Sequence, residues 1–498
     1  MSNKKSKAVG AKDSLSKRTL WTYTLGGIGR DMSYTLYSMY LLSFILYTKE
    51  LTNPQFAAIS VIMIICRVWD AVNDPVMGGI IENTKSKWGK FKPWILIGVL
   101  TNAVVLVALF SAPIYGWSFV IFFAFMYLLW DITFTMNDIG YWSMLPSLTS
   151  NMQDRNKLTS FANLFAGFGA ILTVALVPIF TAGENTIGGN AITAYSVVTI
   201  VIAICFIGCQ VMTVVGVQER HRDIKTDESM GIRQMIRVIA NNDQLLWVAL
   251  VLLFYSLGSG IITGIGTNYI YFQYGYKGEF VTMFAIIFGA ATGLVMLLFP
   301  MLSVKFTRRT LISIATVMIV IGYLGVFLLA FISTSFYLLC AAGLVVGIGQ
   351  GIFYMVITIN ITNTVEYNEW KTGKRNEGII FSIRPFTTKL GSALQQLVVM
   401  FVYIALNVTQ TTNIISEAEK KANMNPDFTE AMKLQTIKDA IALVPANTTM
   451  YMRAAMSLIP IVLLIGAFIV LRKKCTIDEE KYAEMLVDIE KSRQEAND

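Results

Sequence analysis

Arg67, Asp70 and Asp74 follow one another at spacings of three and four in RVWDAVNDPVMGG, directly after the apolar run AAISVIMIIC. On a helix those spacings put all three side chains on one face, with Asn73 one position away. Such close carboxylates in a low-dielectric surrounding do not both stay ionised unless a cation lies between them. Arg67 neutralises one, and its role is as much structural pairing as function. About one negative charge then remains for a proton or a metal ion. Carboxylate oxygens suit hard cations, so Na⁺ at Asp70 and Asp74 is admissible. A second constellation lies in LLWDITFTMNDIGYWSMLP, where Asp131, Thr135, Asp138 and Trp142 recur at spacings of four, three and four. One helix face there offers carboxylate, hydroxyl, carboxylate and indole. A carboxylate accepts hydrogen bonds from two sugar hydroxyls, and an indole stacks on the apolar face of a pyranose. The bland readings are an interfacial belt residue for Trp142 and a helix-to-helix pair for Asp138.

In GGIGRDMSYTLYSMY, Arg30 and Asp31 are neighbours in a third apolar setting, followed by Tyr34 and Tyr37. Adjacent helix positions point about 100° apart, so Arg30 and Asp31 are not expected to pair with each other. Arg384 and Lys389 bring positive charge to another apolar stretch, and Lys389 reads as a mobile counter-ion for the carboxylates. Ionisable groups at such positions cost at least about 2.5 kcal/mol each on insertion scales, which makes them functional candidates. Glu366 and Glu369 end an apolar stretch instead. A gate is expected there, with Glu366 pairing to basic loop residues such as Arg155, Lys374 and Arg375.

The elements that must position these residues are helices in a membrane. The 498-residue chain is 55% hydrophobic and 14% charged, against about 25% charged in soluble domains. Its mean hydropathy is +0.58. Twelve apolar runs are long enough to span, near 22–48, 55–81, 94–112, 117–146, 160–181, 193–217, 245–271, 279–302, 310–331, 335–364, 378–408 and 450–471. Backbone polar groups must be satisfied within lipid, so the runs are helices, too long and unalternating for a barrel. Lysine and arginine cluster in the N-terminal tail, in alternate loops and after Arg472, which puts both termini in the cytoplasm. The basic turns after the second and eighth runs correspond, as do those after the fourth and tenth. Six helices plus six then form two parallel repeats, which resembles the plan of the major facilitator fold. The expected divisions are a cytoplasmic tail (1–21), a first bundle (22–217), a central cytoplasmic loop (218–244), a second bundle (245–471) and a cytoplasmic tail (472–498). An extracytoplasmic loop at 409–449 is expected to carry a short surface helix. The N-terminus lacks the apolar core and cleavage site of a signal peptide.

Several chemistries find no support. Cys66, Cys205, Cys209 and Cys340 lie in apolar runs and Cys475 in a basic tail, which is neither a disulfide framework nor a metal site. The single histidine, His221, lies in a charged loop, so none serves proton transfer in the membrane. No phosphate-cradling motif is present. The net charge of +8 follows the loop bias and does not point to nucleic acid. No cofactor is expected, and an enzyme is the least favoured reading.

RVWDAVNDPVMGGIIENTKSKWGKFKPWIL, VEYNEWKTGKRNEGIIFSIRPFTTKLGSAL and TMNDIGYWSMLP resemble the signatures of the glycoside–pentoside–hexuronide:cation symporters. The resemblance covers essentially the whole transmembrane region. It implies a cation site at Asp70, Asn73, Asp74 and Thr135. It implies sugar contacts at Asp31, Asp138 and Trp142, with Arg30 beside them and Lys389 near the cation site. Asn163 stands where family members hold sugar with an arginine, Asp131 replaces a small residue, and Tyr354 occupies an aromatic position. Asn163 and Asp131 suit a neutral sugar better than a uronide. The expected activity is cation-coupled symport of a sugar or glycoside, driven by Na⁺ or H⁺, in a bacterial inner membrane, by a monomer surrounded by lipid. A lysolipid carrier of the same fold and a non-transporting sugar sensor are the alternatives.

Overall fold

The computed structural model describes residues 15–149, 151–219, 232–374 and 376–495. His221 and Arg375 lie outside the described residues. In chain order the helices are α1 (Lys17–Thr35), continued through a π-helical turn (Leu36–Tyr40) into α2 (Leu41–Thr48), then α3 (Asn53–Glu82), α4 (Lys92–Ser111), α5 (Gly116–Leu148), α6 (Met152–Thr181) and α7 (Ala191–Gly216). There follow α8 (Ile232–Asn241), α9 (Asp243–Tyr274), α10 (Gly278–Lys305), α11 (Arg308–Ile332), α12 (Phe336–Thr372) and α13 (Glu377–Ala405). The chain ends in α14 (Val408–Met424), α15 (Glu430–Ala442), α16 (Ala446–Lys474) and α17 (Glu479–Glu495). Among the described residues no strand occurs.

Ten of these helices are each long and apolar enough to cross a bilayer, and the bent α3 makes eleven. The first apolar run is the remaining one of the twelve. It is broken by the π turn and carries Arg30, Asp31 and several hydroxyls, so no single piece of it meets that test.

The chain forms two compact units. One comprises Met1–Lys225, Gly275–Thr282 and Asn407–Leu443, and the other the remaining segments. The loop expected to hold one short helix therefore holds two, α14 and α15, and packs with the first unit.

Local chemistry sets the ends of the helices that carry the candidate residues. Thr52 accepts from Gln55 N at 3.4 Å while its own N–H donates to Gln55 Oε1 at 2.9 Å, a reciprocal cap at the start of α3. Asn151 caps α6 through the amides of Gln153 (2.9 Å) and Asp154 (3.4 Å). The axis of α3 turns by 41° between Asp70 and Asn73. Pro75 explains the place of the bend: it offers no N–H to the Ala71 carbonyl four residues back, and its ring crowds that carbonyl. Helix α1 lies close against α7 because Gly29 has no side chain. A Cβ there would sit 2.6 Å from the Phe206 Cα.

Candidate functional site

In the first unit, α5 is held from behind by amide side chains. Asn102 of α4 donates to the Trp130 carbonyl (3.1 Å) and to Thr133 Oγ1 (3.0 Å), and Asn137 donates to the Ile95 carbonyl (2.9 Å). These buried bonds fix the rotation of α5, and with it the face carrying Asp131, Thr135, Asp138 and Trp142.

Arg30 is the centre of one cluster and is only 4% exposed. Its Nε and Nη2 donate to Asp31 Oδ2 at 2.9 and 2.5 Å, and its Nη1 donates to Asp138 Oδ1 at 2.8 Å. The guanidinium lies 4.9 Å from the Tyr141 ring centre and 4.8 Å from that of Trp142. The expectation that Arg30 and Asp31 do not pair is therefore wrong. The angle between adjacent Cβ directions does not limit a four-bond side chain that folds back along its own helix. Behind this cluster Tyr23 stacks on Tyr141, with ring centres 4.4 Å apart. Each phenol donates to the other residue's carbonyl at 2.8 Å. One arginine thus bridges the two aspartates proposed for sugar, with Trp142 against its plane.

The second cluster joins α3 to α5. Asp70 and Asn73 are 8% exposed and Thr135 4%. Thr135 Oγ1 donates to Asp74 Oδ1 at 3.4 Å. Asn73 is brought to the same bend, and its buried Nδ2 has no hydrogen-bond partner among the described residues. The groups acting on Arg67 are Tyr127, Tyr34, Tyr37 and Asp131, and Asp131 is 2% exposed. Asp70 and Asp74 of α3 and Asp131 of α5 thus lie in the same part of the first unit as Arg67. The donors are hard oxygens. Among the described residues no group of three or more His, Cys, Asp or Glu could hold a metal ion.

Sequence reasoning passed over the aromatic wall beside this cluster. Tyr37, inside the π turn, stacks on Trp130 at 3.3 Å between centres, and Trp130 stacks on Phe134 at 4.7 Å. Trp130 and Phe134 are four apart, so their shared helix face was available as a signal. The π turn that aims Tyr37 was not. Tyr34, 42% exposed, stacks on Phe134 at 5.4 Å.

Two further candidates of the first unit bond to backbone carbonyls. Asn163 is exposed and donates to the Thr159 carbonyl of its own helix at 2.9 Å. Arg155 turns its Nη2 to the carbonyls of Pro146 (3.5 Å) and Thr149 (3.3 Å) at the end of α5. In the second unit Arg384 donates to the Tyr354 hydroxyl, with its guanidinium 5.6 Å from that ring centre, and Lys389 is half-buried. Glu366 is 8% exposed near the end of α12, and Lys374 is exposed beyond it.

A family described as "MFS/sugar transport protein" matches residues 22–472. The chain is 27% identical to the raffinose carrier protein of Pediococcus pentosaceus over 488 residues, 94% of this chain and 71% of the relative. It is 28% identical to the lactose permease of Lactobacillus delbrueckii subsp. bulgaricus over 487 residues, 94% and 72% of the two chains. Among solved structures, a bacterial homologue of the human lysosomal transporter Spinster superposes with a TM-score of 0.62 at 11% identity, covering 91% of this chain and 98% of the other. A D-xylose-proton symporter does so at 0.54 and 14%, covering 87% and 98%. With ten to eleven apolar helices, these clusters and a match across nearly its whole length, the chain belongs to the MFS/sugar transport protein family and is a multi-pass membrane transporter, not an enzyme.

Proposed function

We propose that the chain carries a neutral sugar or oligosaccharide across the cell membrane together with a cation, by alternating access, with both termini in the cytoplasm. The observation that carries this reading is the geometry of α5. Thr135 meets Asp74 at one end of a single turn, and Asp138 meets Arg30 at the other. A cation settling among Asp70, Asn73, Asp74 and Thr135 neutralises the buried carboxylates and fixes Thr135. Asp138 lies three residues further along the same helix, so its position follows. Sugar hydroxyls then donate to Asp31 and Asp138, and the Arg30 guanidinium keeps both carboxylates oriented. Trp142 supplies the apolar face.

Binding of either substrate must strengthen the other by the same factor, because the coupling free energy is reciprocal. No additional cation stands at Asn163 to meet a uronate, which favours a neutral substrate. The raffinose and lactose named for two relatives are neutral oligosaccharides, in keeping with that. Lys389, Arg384 and Tyr354 on the second unit are assigned to charge balance and sugar contact, and Glu366 with Lys374 to the cytoplasmic gate.

The test is uptake of a panel of neutral and acidic sugars into vesicles holding the purified protein, under imposed Na⁺ or H⁺ gradients. Accumulation of a neutral sugar above its equilibrium level under one of the gradients is expected. Exchange without accumulation would remove the cation from the reading, and binding without exchange would leave only a sensor.

A further inference from the structure

The segment between α13 and α16 belongs by chain order to the second unit and by packing to the first. Its helices α14 and α15 are joined to the link between α2 and α3, to the start of α3 and to the start of α7. Asn413 accepts from the Leu51 N–H at 2.9 Å and donates to the Leu51 carbonyl at 2.8 Å. Thr409 donates to Asn53 Oδ1 at 2.6 Å, and Lys420 pairs with Glu50 at 2.9 Å. Within the hairpin, Glu419 of α14 and Lys433 of α15 form an ion pair, 3.5 Å apart with both side chains 0% exposed. The same Glu419 oxygen accepts the first amide of α7, Ala191 N, at 2.7 Å. Lys433 donates to the Gly189 carbonyl at 2.8 Å.

A surface flap that lifts in every turnover would not be built this way. Lifting it would strip the α7 N-terminus of its carboxylate cap and break the Lys433 bond to the Gly189 carbonyl at once. The segments flanking the hairpin are short: Leu406 and Asn407 on one side, Leu443, Val444 and Pro445 on the other. Asn407 already holds a left-handed backbone, with φ of 51°.

We propose that the α14–α15 hairpin moves as part of the first unit throughout the transport cycle, with Glu419 and Lys433 as its positioning residues. The chain flexes at Leu406–Asn407 and at Leu443–Pro445, where it passes from one unit to the other. The inference rests on the alternating-access reading above.

Covalent tethering tests it. Thr193 Oγ1 and Asn423 Oδ1, on α7 and α14, are 3.0 Å apart and exposed. Thr193→Cys with Asn423→Cys, joined by a short reducible bis-thiosulfonate and checked by peptide mass, is assayed in the vesicle uptake experiment with whichever panel sugar the unaltered protein accumulates. Uptake within about twofold of the reduced sample is expected, because the tethered parts never separate. A larger loss that reductant restores would overturn the proposal. Failure of the unaltered protein to move any panel sugar would instead count against the transport reading. In parallel, Glu419→Gln is expected to speed amide exchange across 407–443 and at Ala191 at least tenfold, and to lower maximal uptake with the half-saturating sugar concentration unchanged. Unchanged exchange would remove Glu419 from the positioning role.

Discussion

At the scale of residues, charge balance decides which substitutions are tolerated. Arg30 is buried and holds both Asp31 and Asp138. Taking away one partner of a buried pair leaves the other uncompensated, at a cost of about 3–5 kcal/mol where burial is complete. Asp31 and Asp138 retain 24% and 37% side-chain exposure, so the cost here is smaller. Arg30→Gln is expected to lower sugar uptake at least tenfold while the protein still folds, as judged by its thermal unfolding in detergent. Asp74→Cys is expected to abolish gradient-driven accumulation while leaving measurable sugar binding. Full accumulation in that variant would rule out the assigned cation site. The α3 carboxylates stand out in the sequence because a spacing of three and four shares one face of a straight helix, while the 41° bend between Asp70 and Asn73 was not legible there. The Arg30–Asp138 bond spans 108 positions, and no local periodicity encodes which acid a distant guanidinium reaches.

At the scale of elements, the bend in α3 and the turn before α4 carry their own consequences. Pro75 inside α3 costs roughly 3 kcal/mol relative to a residue with an N–H, and its retention places the bend among Asp70, Asn73 and Asp74. Pro75→Ala is expected to raise the unfolding temperature and to weaken the apparent affinity for the coupling cation. An unchanged affinity would mean the bend does not shape the site. Beside it, the Glu219 carboxylate accepts the amides of Lys90 (2.6 Å), Phe91 (3.2 Å) and Lys92 (2.8 Å) at the start of α4. Gly89 has φ of 112°, and a Cβ there would meet that carboxylate at 2.3 Å. Hydrogen bonds to charged groups contribute about 1.5–3 kcal/mol, so Glu219→Ala should lower stability by an amount in that range, measurable by thermal unfolding.

Across the whole molecule, the C-terminal helix α17 is a docked element and not a loose tail. Asp478 pairs with Arg309 at 3.0 Å, Trp370 donates to Asp488 at 3.1 Å, and Met485 packs with Tyr367 and Ile477. Burial pushes the Glu479 carboxyl up. The Arg308 amide at 2.7 Å and its guanidinium at 3.2 Å outweigh that, and hold it below the usual range. A depressed folded value adds stability above the unfolded value, near 4.3, and that stability is lost as pH falls through the folded one. Amide exchange over 479–495 is therefore expected to quicken as pH drops below about 4, after correction for the intrinsic rate, and Glu479→Gln should flatten that dependence.

The sequence by itself determined that the chain is helical and membrane-spanning, with carboxylates set at helical spacings in its apolar runs. Hydropathy, loop charge and helical spacing are local properties that survive without coordinates. It also placed Asp138 and Thr135 on one face of α5, three residues apart. Only the tertiary structure decided that Arg30 bridges Asp31 and Asp138, that Asp131 acts on Arg67, and that the hairpin after α13 belongs with the first unit. Each of these depends on which side chains meet across more than sixty positions, or on a long side chain folding back on its own helix. Helical periodicity carries no information about either.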